Sequence, residues 1–222
     1  MTGMPDIIDL PYPSLYRWQV FQHVFSPQFR NVPTLDLGCN NGAFLVRIVG
    51  CPKIGLDLTI LPEVKNLGLT LTCADATRVP FKDNYFQQII VFDLIEHVGD
   101  DREVLREASR VLAPGGVMWI STPAHDFRLF PRRLTARAAR GWGHVRNGYT
   151  AEELIDKLPC SVEVNVTYWN EPLLRFAYIG LRASNSCAPR LARWGARQCF
   201  RFDRHWPEGK RGHLLAKVMK PA

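Results

Sequence analysis

The segment Phe86–Phe92 (FQQIIVF) is mostly apolar, with apolar residues on both of the alternating faces a strand would present. A strand tolerates that only where both faces of its sheet are covered. Around it lie further strand-like runs at Val32–Leu37, Lys53–Leu58, Leu69–Ala74, Val117–Ser121, Val162–Tyr168 and Leu214–Met219. Helix-period segments alternate with them. Pro13–Phe25 repeats Leu15, Trp18 and Phe25 at helical spacing, and a helix is expected after Asn41 from Phe44, Leu45, Ile48 and Val49. Asp100 and Glu103 open a helix whose inner face is Val104, Leu105, Ala108, Val111 and Leu112, stopped by Pro114-Gly115-Gly116. Thr150-x-x-Glu153 caps another over Leu154–Leu158. Strands alternating with helices give an α/β fold, a mostly parallel sheet with helices on both faces. Residues 124–149 and 170–212 break the alternation and, with 1–30, read as caps on one domain spanning 1–222.

Apolar residues at 46% and charged residues at 22% exclude a disordered chain or a coiled coil. The longest uncharged runs fall short of the ~20 residues of a membrane span, and Asp6, Asp9 and Pro11 interrupt any leader-like stretch. The expectation is a soluble protein of cytoplasmic type. Its six cysteines contain no C-x-x-C pair, so reduced thiols serving as small hydrophobes are expected, four of them among apolar neighbours, and no metal site. Charge is divided. Residues 1–123 carry ten Lys and Arg against thirteen Asp and Glu, whereas 124–222 carry eighteen against eight, fourteen of the eighteen being Arg. That split suggests two tasks on one chain.

In sheets of this kind ligands bind beyond the carboxyl ends of the strands. The first strand runs into Asp36-Leu37-Gly38-Cys39-Asn40-Asn41-Gly42, where glycines let backbone approach a ligand. The second ends in Asp57, the third in Asp75-Ala76, and the fourth in Phe92-Asp93, followed by Glu96 and His97. A carboxylate at Asp57 can accept both hydroxyls of a ribose. Four acids around the turn would repel a pyrophosphate and suit a ligand bearing positive charge.

The stretches TLDLGCNNGAFL, IGLDLT, CADATRVPF, VFDLIEHV and REASRVLAPGGVMWISTP, across residues 33–123, resemble the type 11 branch of the class I S-adenosylmethionine (SAM)-dependent methyltransferases. The resemblance implies a Rossmann-like seven-stranded sheet whose last strand is antiparallel, and SAM as the cofactor. It implies that Gly38–Gly42 wraps the methionine part over Asp36. Asp57 would take the ribose diol, Leu58 would pack on the adenine, and Asp75 with the Ala76 amide would read its edge. Phe92 and Asp93 would line the methionine end. Asn40 replaces the middle glycine of the usual turn, which requires a left-handed backbone there.

Candidate bases for the acceptor are His97, His125 and His144. The last lies in GHVRNGYT, which resembles a stretch preceding a late helix in the same branch and brings in Arg146 and Tyr149 as substrate-binding candidates. Arg128, Arg132, Arg133, Arg137 and Arg140 form a basic stretch, and residues 172–206 interleave Arg with Phe176, Trp194, Phe202 and Trp206. Arg with aromatics suits an anionic membrane surface, an acidic small acceptor or RNA. The expected activity is methyl transfer to a small-molecule or lipid-like acceptor, with peripheral contact to an anionic membrane. The alternatives are an RNA methyltransferase and a SAM-binding protein without turnover.

Overall fold

The computed structural model describes residues 10, 12–25, 30–60, 69–128, 135, 139–206 and 209–222. Seven strands form one sheet: β1 (Thr34–Leu37), β2 (Lys53–Asp57), β3 (Thr70–Cys73), β4 (Phe86–Phe92), β5 (Leu112–Pro123), β6 (Glu163–Trp169) and β7 (His213–Met219). Their order is β3-β2-β1-β4-β5-β7-β6. The first five pair in parallel, and β7 runs antiparallel between β5 and β6. The chain reverses direction in the sheet between β1 and β4, which is the switch point where an open crevice forms.

Both faces of the central strands are buried, as the apolar pattern of Phe86–Phe92 requires. Ile89, Val91, Met118 and Ile120 face one layer, packed with Val104, Leu105 and Ala108 of helix α2 (Asp101–Val111) and Leu154 of α3 (Ala151–Lys157). Ile90, Phe92 and Trp119 face the other, against α1 (Tyr12–Phe25), α4 (Pro172–Cys187) and α5 (Pro189–Asp203). There the Phe21 ring lies 3.9 Å from Phe92 and the Phe25 ring 4.6 Å from Trp119, centroid to centroid. Thr150 and Glu153 form the reciprocal cap of α3. At α2 Asp100 accepts from the Glu103 amide, while the Glu103 carboxylate binds Arg106 instead of returning the cap.

Three sequence expectations are corrected. Residues 41–47 are a succession of turns rather than an α-helix. The Lys53 ammonium donates to the carbonyls of Leu45, Val46 and Ile48 at 3.1–3.3 Å, taking acceptors a regular helix would have used. The Pro114-Gly115-Gly116 turn lies inside β5, where Gly115 has φ +71 and its amide bonds to Lys220 O. Of the six free cysteines only Cys39 and Cys199 are buried; Cys51, Cys73, Cys160 and Cys187 are exposed.

The cap on the second face is tied together by one buried carboxylate. Asp203, at the end of α5, accepts from the Tyr16 hydroxyl of α1 at 2.6 Å and from the Leu173 and Leu174 amides in the first turn of α4. Those amides have no partner within their own helix. Trp169 Nε1 donates in turn to the Tyr16 oxygen. Burial pushes the Asp203 carboxyl above its ordinary range, with repulsion from Glu171 adding to it, while these donors hold it down. Asp203→Ala leaves three buried donors without an acceptor and is expected to cost about 3 kcal/mol. That lowers Tm by roughly 6–12 °C for a chain of this size. Tyr16→Phe removes one donor and should cost about 1 kcal/mol. Equal losses in thermal unfolding would show that the helix amides gain nothing from the carboxylate.

Candidate active site

The carboxyl edge of β3-β2-β1-β4 collects the acids found at the strand ends. Asp36 is buried within β1, and the chain then turns through Gly38 at φ +75, Asn40 at +47 and Gly42 at +67. Asn40 thus adopts the left-handed conformation its place demands. A Cβ on Gly38 would come within 2.9 Å of Leu94 Cδ1, so the turn has no room there for a side chain. Asp57 braces the turn from β2: its Oδ2 accepts from the Asn40 amide at 2.8 Å and its Oδ1 from the Thr59 amide at 3.2 Å. Each oxygen keeps capacity for a further donor. Leu58 beside it is 69% exposed, an apolar side chain facing solvent at the crevice. Asp75 is exposed and accepts from the Thr77 amide, which holds its carboxyl below the usual range; Ala76 is buried next to it. Phe92 is buried under Phe21, and Asp93 follows at φ +50, in the left-handed region that Asp tolerates better than most non-glycine residues.

Burial and the neighbouring Asp57 push the Asp36 carboxyl up to about 8. Two carboxylates this close, one of them out of water, cannot both ionise cheaply. The same burial, with Asp36 beside it, raises the Cys39 thiol to about 12, so this cysteine is an inert thiol.

Next to Asp93 a cavity of about 540 Å³ opens between the sheet edge and the cap. α1 contributes Tyr12 and Arg17, the turn after β4 contributes Asp93, Glu96 and His97, and α4 contributes Tyr178 and Arg182. Arg17 pairs with Asp93 at 2.6 Å, and the Ser121 hydroxyl donates to the same carboxylate. Burial pushes Asp93 up, but Arg17, His213 and Ser121 outweigh it and hold the carboxyl below its ordinary range. Glu96 has the opposite fate. Burial, and then repulsion from Asp93, raise it to about 8, against a backbone amide, the Arg17 charge and a Thr122 hydroxyl bond at 3.1 Å, which lower it. Glu171 and His213 meet at 2.6 Å; burial favours the neutral imidazole, yet Glu171 carries its pKa upward.

His97 and His144 are brought together in this cavity, their rings 4.6 Å apart at 82°. Burial, with His97 and the Arg17 guanidinium nearby, lowers His144 to about 4, so it is neutral at physiological pH. A base that weak is poorly matched to proton abstraction near neutrality. The other candidates lie elsewhere. His125 is exposed in a separate recess, alongside Arg146 and Tyr149. Tyr149 is buried and donates to Ile95 O and Asp101 Oδ2, and Arg146 pairs with Asp101 at 2.9 Å. Both residues tie to α2 through Asp101, and they line the separate recess rather than the 540 Å³ cavity. Arg128 is half-buried and Arg140 exposed, while Arg132, Arg133 and Arg137 lie outside the described residues.

Three cavity residues escaped the sequence reading. Glu171 follows β6, which runs in the direction of the parallel strands, so its end lies on the same sheet edge. His213 starts β7, and the beginning of an antiparallel strand shares the edge with its neighbours' ends. Both positions are legible in the sequence as residues flanking the last two strand-like runs. Arg17 carries no such signal, since its partner Asp93 is 76 residues away.

The glycine turn and the ring of acids lie at the switch point of a mostly parallel sheet with an antiparallel β7, the fold also found in solved SAM-dependent methyltransferase structures. Residues 35–120 match a family model described as a methyltransferase domain. Residues 35–120 are thus similar to the SAM-dependent methyltransferase domain of the type 11 family. It is 32% identical over 106 residues to norajmaline N-methyltransferase of Rauvolfia serpentina, covering 41% of this chain and 36% of that protein. Over 132 residues it is 29% identical to the Mus musculus protein named "Probable tRNA methyltransferase 9B", covering 49% of this chain and 29% of the relative. The chain therefore spans about a third of the length of these relatives. Among solved structures, a SAM-dependent methyltransferase from Archaeoglobus fulgidus superposes with a TM-score of 0.62 at 16% identity, over 92% of this chain and 93% of that one.

The Asp36 carboxyl yields a pH dependence of definite sign. Its pKa is about 8 folded and in the ordinary carboxyl range unfolded. Its contribution to stability is therefore complete below pH ~4 and is lost as pH rises through about 8. The stability of the ligand-free protein minus that of Asp36→Asn should fall between pH 5 and pH 8 in urea unfolding. A flat difference would overturn the buried, repelled state of Asp36.

Proposed function

We propose that the chain transfers the methyl group of SAM to a small-molecule or lipid-like acceptor held in the 540 Å³ cavity. The observation that carries this reading is the cavity itself, which adjoins Asp93 at the end of β4 and has a volume suited to a compact organic ligand. In this reading Gly38, Asn40 and Gly42 wrap the methionine end above Asp36. Asp57 binds the ribose hydroxyls, Leu58 covers the adenine, and Asp75 with Ala76 meets its edge. Phe92 and Asp93 separate donor from acceptor. The carboxylates favour the sulfonium cation. The chain then needs to hold the acceptor's nucleophile in line with the methyl group and keep water out, which can supply much of the rate. His97 and His144 orient the acceptor from the opposite wall.

Labelled SAM incubated with the protein and fractionated extract tests this. Label is expected in a small-molecule or lipid fraction. Asp57→Ala should weaken SAM binding by ~1–3 kcal/mol and reduce labelling in parallel. Label confined to RNA would establish the second reading, which the tRNA methyltransferase relative favours. SAM binding without any labelling would establish a binding protein without turnover.

We further propose that the acceptor arrives from an anionic membrane surface, contacted by the α4–α5 hairpin. Residues 172–202 contain six Arg and no Asp or Glu. Phe176 is 89% exposed and Trp194 59%, with Ile179, Leu191 and Phe202 exposed beside them. No described helix is long and apolar enough to cross a membrane. Exposed aliphatics with Arg and aromatics on a helical surface suit adsorption at a lipid interface, and α4 also supplies Tyr178 and Arg182 to the cavity. Aliphatic side chains add nothing to RNA binding, which draws on stacking and phosphate contacts. The protein should sediment with anionic vesicles, less so as salt rises, and little with neutral ones. Phe176→Ser with Trp194→Ser should abolish retention. Retention equal on both vesicle types, or on neither, removes the membrane contact.

A further inference from the structure

Glu96, His97 and His144 each place one ligand-type atom within 4.8 Å of the other two, on the wall of the cavity. Glu96 and His97 are consecutive in the short 3-10 turn Ile95–His97 that follows β4. His144 comes from 47 residues further on, and backbone fixes its approach: the His144 amide donates to Ala139 O at 3.0 Å, and the Val145 amide to Glu96 O at 2.9 Å. Gly143, at φ +82, makes the turn that delivers the imidazole.

We propose that these three side chains form a binding site for one divalent first-row metal ion, with its open coordination positions facing the acceptor cavity. Two imidazoles and one carboxylate are a donor set such ions accept, leaving positions for exogenous oxygen. Arg17 pairs directly with Asp93 at 2.6 Å and acts on Glu96 only through space, so Glu96 stays buried beside a second carboxylate with the Thr122 hydroxyl as a hydrogen-bond donor. His144 Nδ1 is buried without a hydrogen-bond partner, which is costly for an imidazole nitrogen unless a ligand completes it. Thr122 fixes the Glu96 carboxylate from behind, the kind of outer contact that orients a metal ligand. Donor atoms around one ion at about 2.1 Å lie roughly 3–3.5 Å apart. From their spacing of within 4.8 Å, the exposed His97 and half-buried His144 side chains would close on an ion by rotation about their side-chain torsions.

The role of such an ion rests on reading the cavity as the acceptor site: it would bind an acceptor oxygen and fix it in line with the methyl donor. Its existence does not rest on that reading. Chelator-treated protein is titrated with Mn2+, followed by electron paramagnetic resonance, and with Co2+, followed by its visible spectrum. Mn2+ is used because it discriminates against the four exposed cysteines. One equivalent per chain is expected. Glu96→Gln, His97→Asn and His144→Ala should each raise Kd at least tenfold, and His125→Ala should leave it unchanged. Circular dichroism and SAM affinity report whether each variant is folded. Should His144→Ala not fold, the Glu96 and His97 variants decide. Absence of binding, or binding the three substitutions leave intact, overturns the site. Metal binding with no methyl transfer in any fraction would overturn the proposed function and leave the site standing.

Discussion

Carboxylates crowd onto one edge of the sheet, and their mutual repulsion organises what surrounds them. Asp36 sits next to Asp57 and Asp93 next to Glu96, each pair partly out of water. A parallel sheet makes such crowding natural, because every strand ends on the same side and every βα turn favours a short acid. The two pairs are handled differently. Asp36 avoids the conflict by holding its proton to about pH 8, while Asp57 accepts hydrogen bonds from two backbone amides. Asp93 is neutralised by Arg17, reaching across from a helix that is not part of the α/β alternation.

That cross-connection explains why the cap consists of α1, α4 and α5 together. A helix lying alone over a sheet edge could not hold a guanidinium 2.6 Å from a buried acid against its hydration. α1 is held by the Phe21 and Phe25 rings on Phe92 and Trp119, and by Tyr16 bonded to Asp203. Asp203 is held in its turn by the first amides of α4. The polar wall of the cavity therefore depends on an apolar and hydrogen-bonded assembly behind it, and the hairpin that faces solvent with Phe176 and Trp194 belongs to that assembly.

Most of the sheet was legible because each central strand is buried on both faces, a constraint that shows in consecutive residues such as Ile89, Ile90 and Val91. The glycine turn was legible for a similar reason: Gly38, Asn40 and Gly42 must take positive φ within five positions. The turns at 41–47 were not, since the apolar spacing of Phe44 and Ile48 fits a helix equally well, and what decides against it is a lysine from the next strand. In GHVRNGYT local pattern could not tell which side chains point inward. His144 turns into the cavity, whereas Arg146 and Tyr149, two and five residues later, turn onto Asp101. Pairings such as Arg17 with Asp93 depend on the packed fold and leave no trace in local sequence.

The low basicity of His144 bears on the chemistry the cavity can support. An acceptor such as a neutral amine attacks a methyl sulfonium with its own lone pair and needs no base beforehand. A hydroxyl acceptor must shed its proton, and an imidazole at about 4 removes little of that burden at neutral pH. For such an acceptor His144 would contribute by helping to make the hydroxyl more acidic rather than by taking its proton unaided. Positive charge held against Glu96 would do that, and it would also relieve the repulsion between Glu96 and Asp93. The arrangement that best satisfies the buried charges is thus also the one that would best activate an oxygen nucleophile.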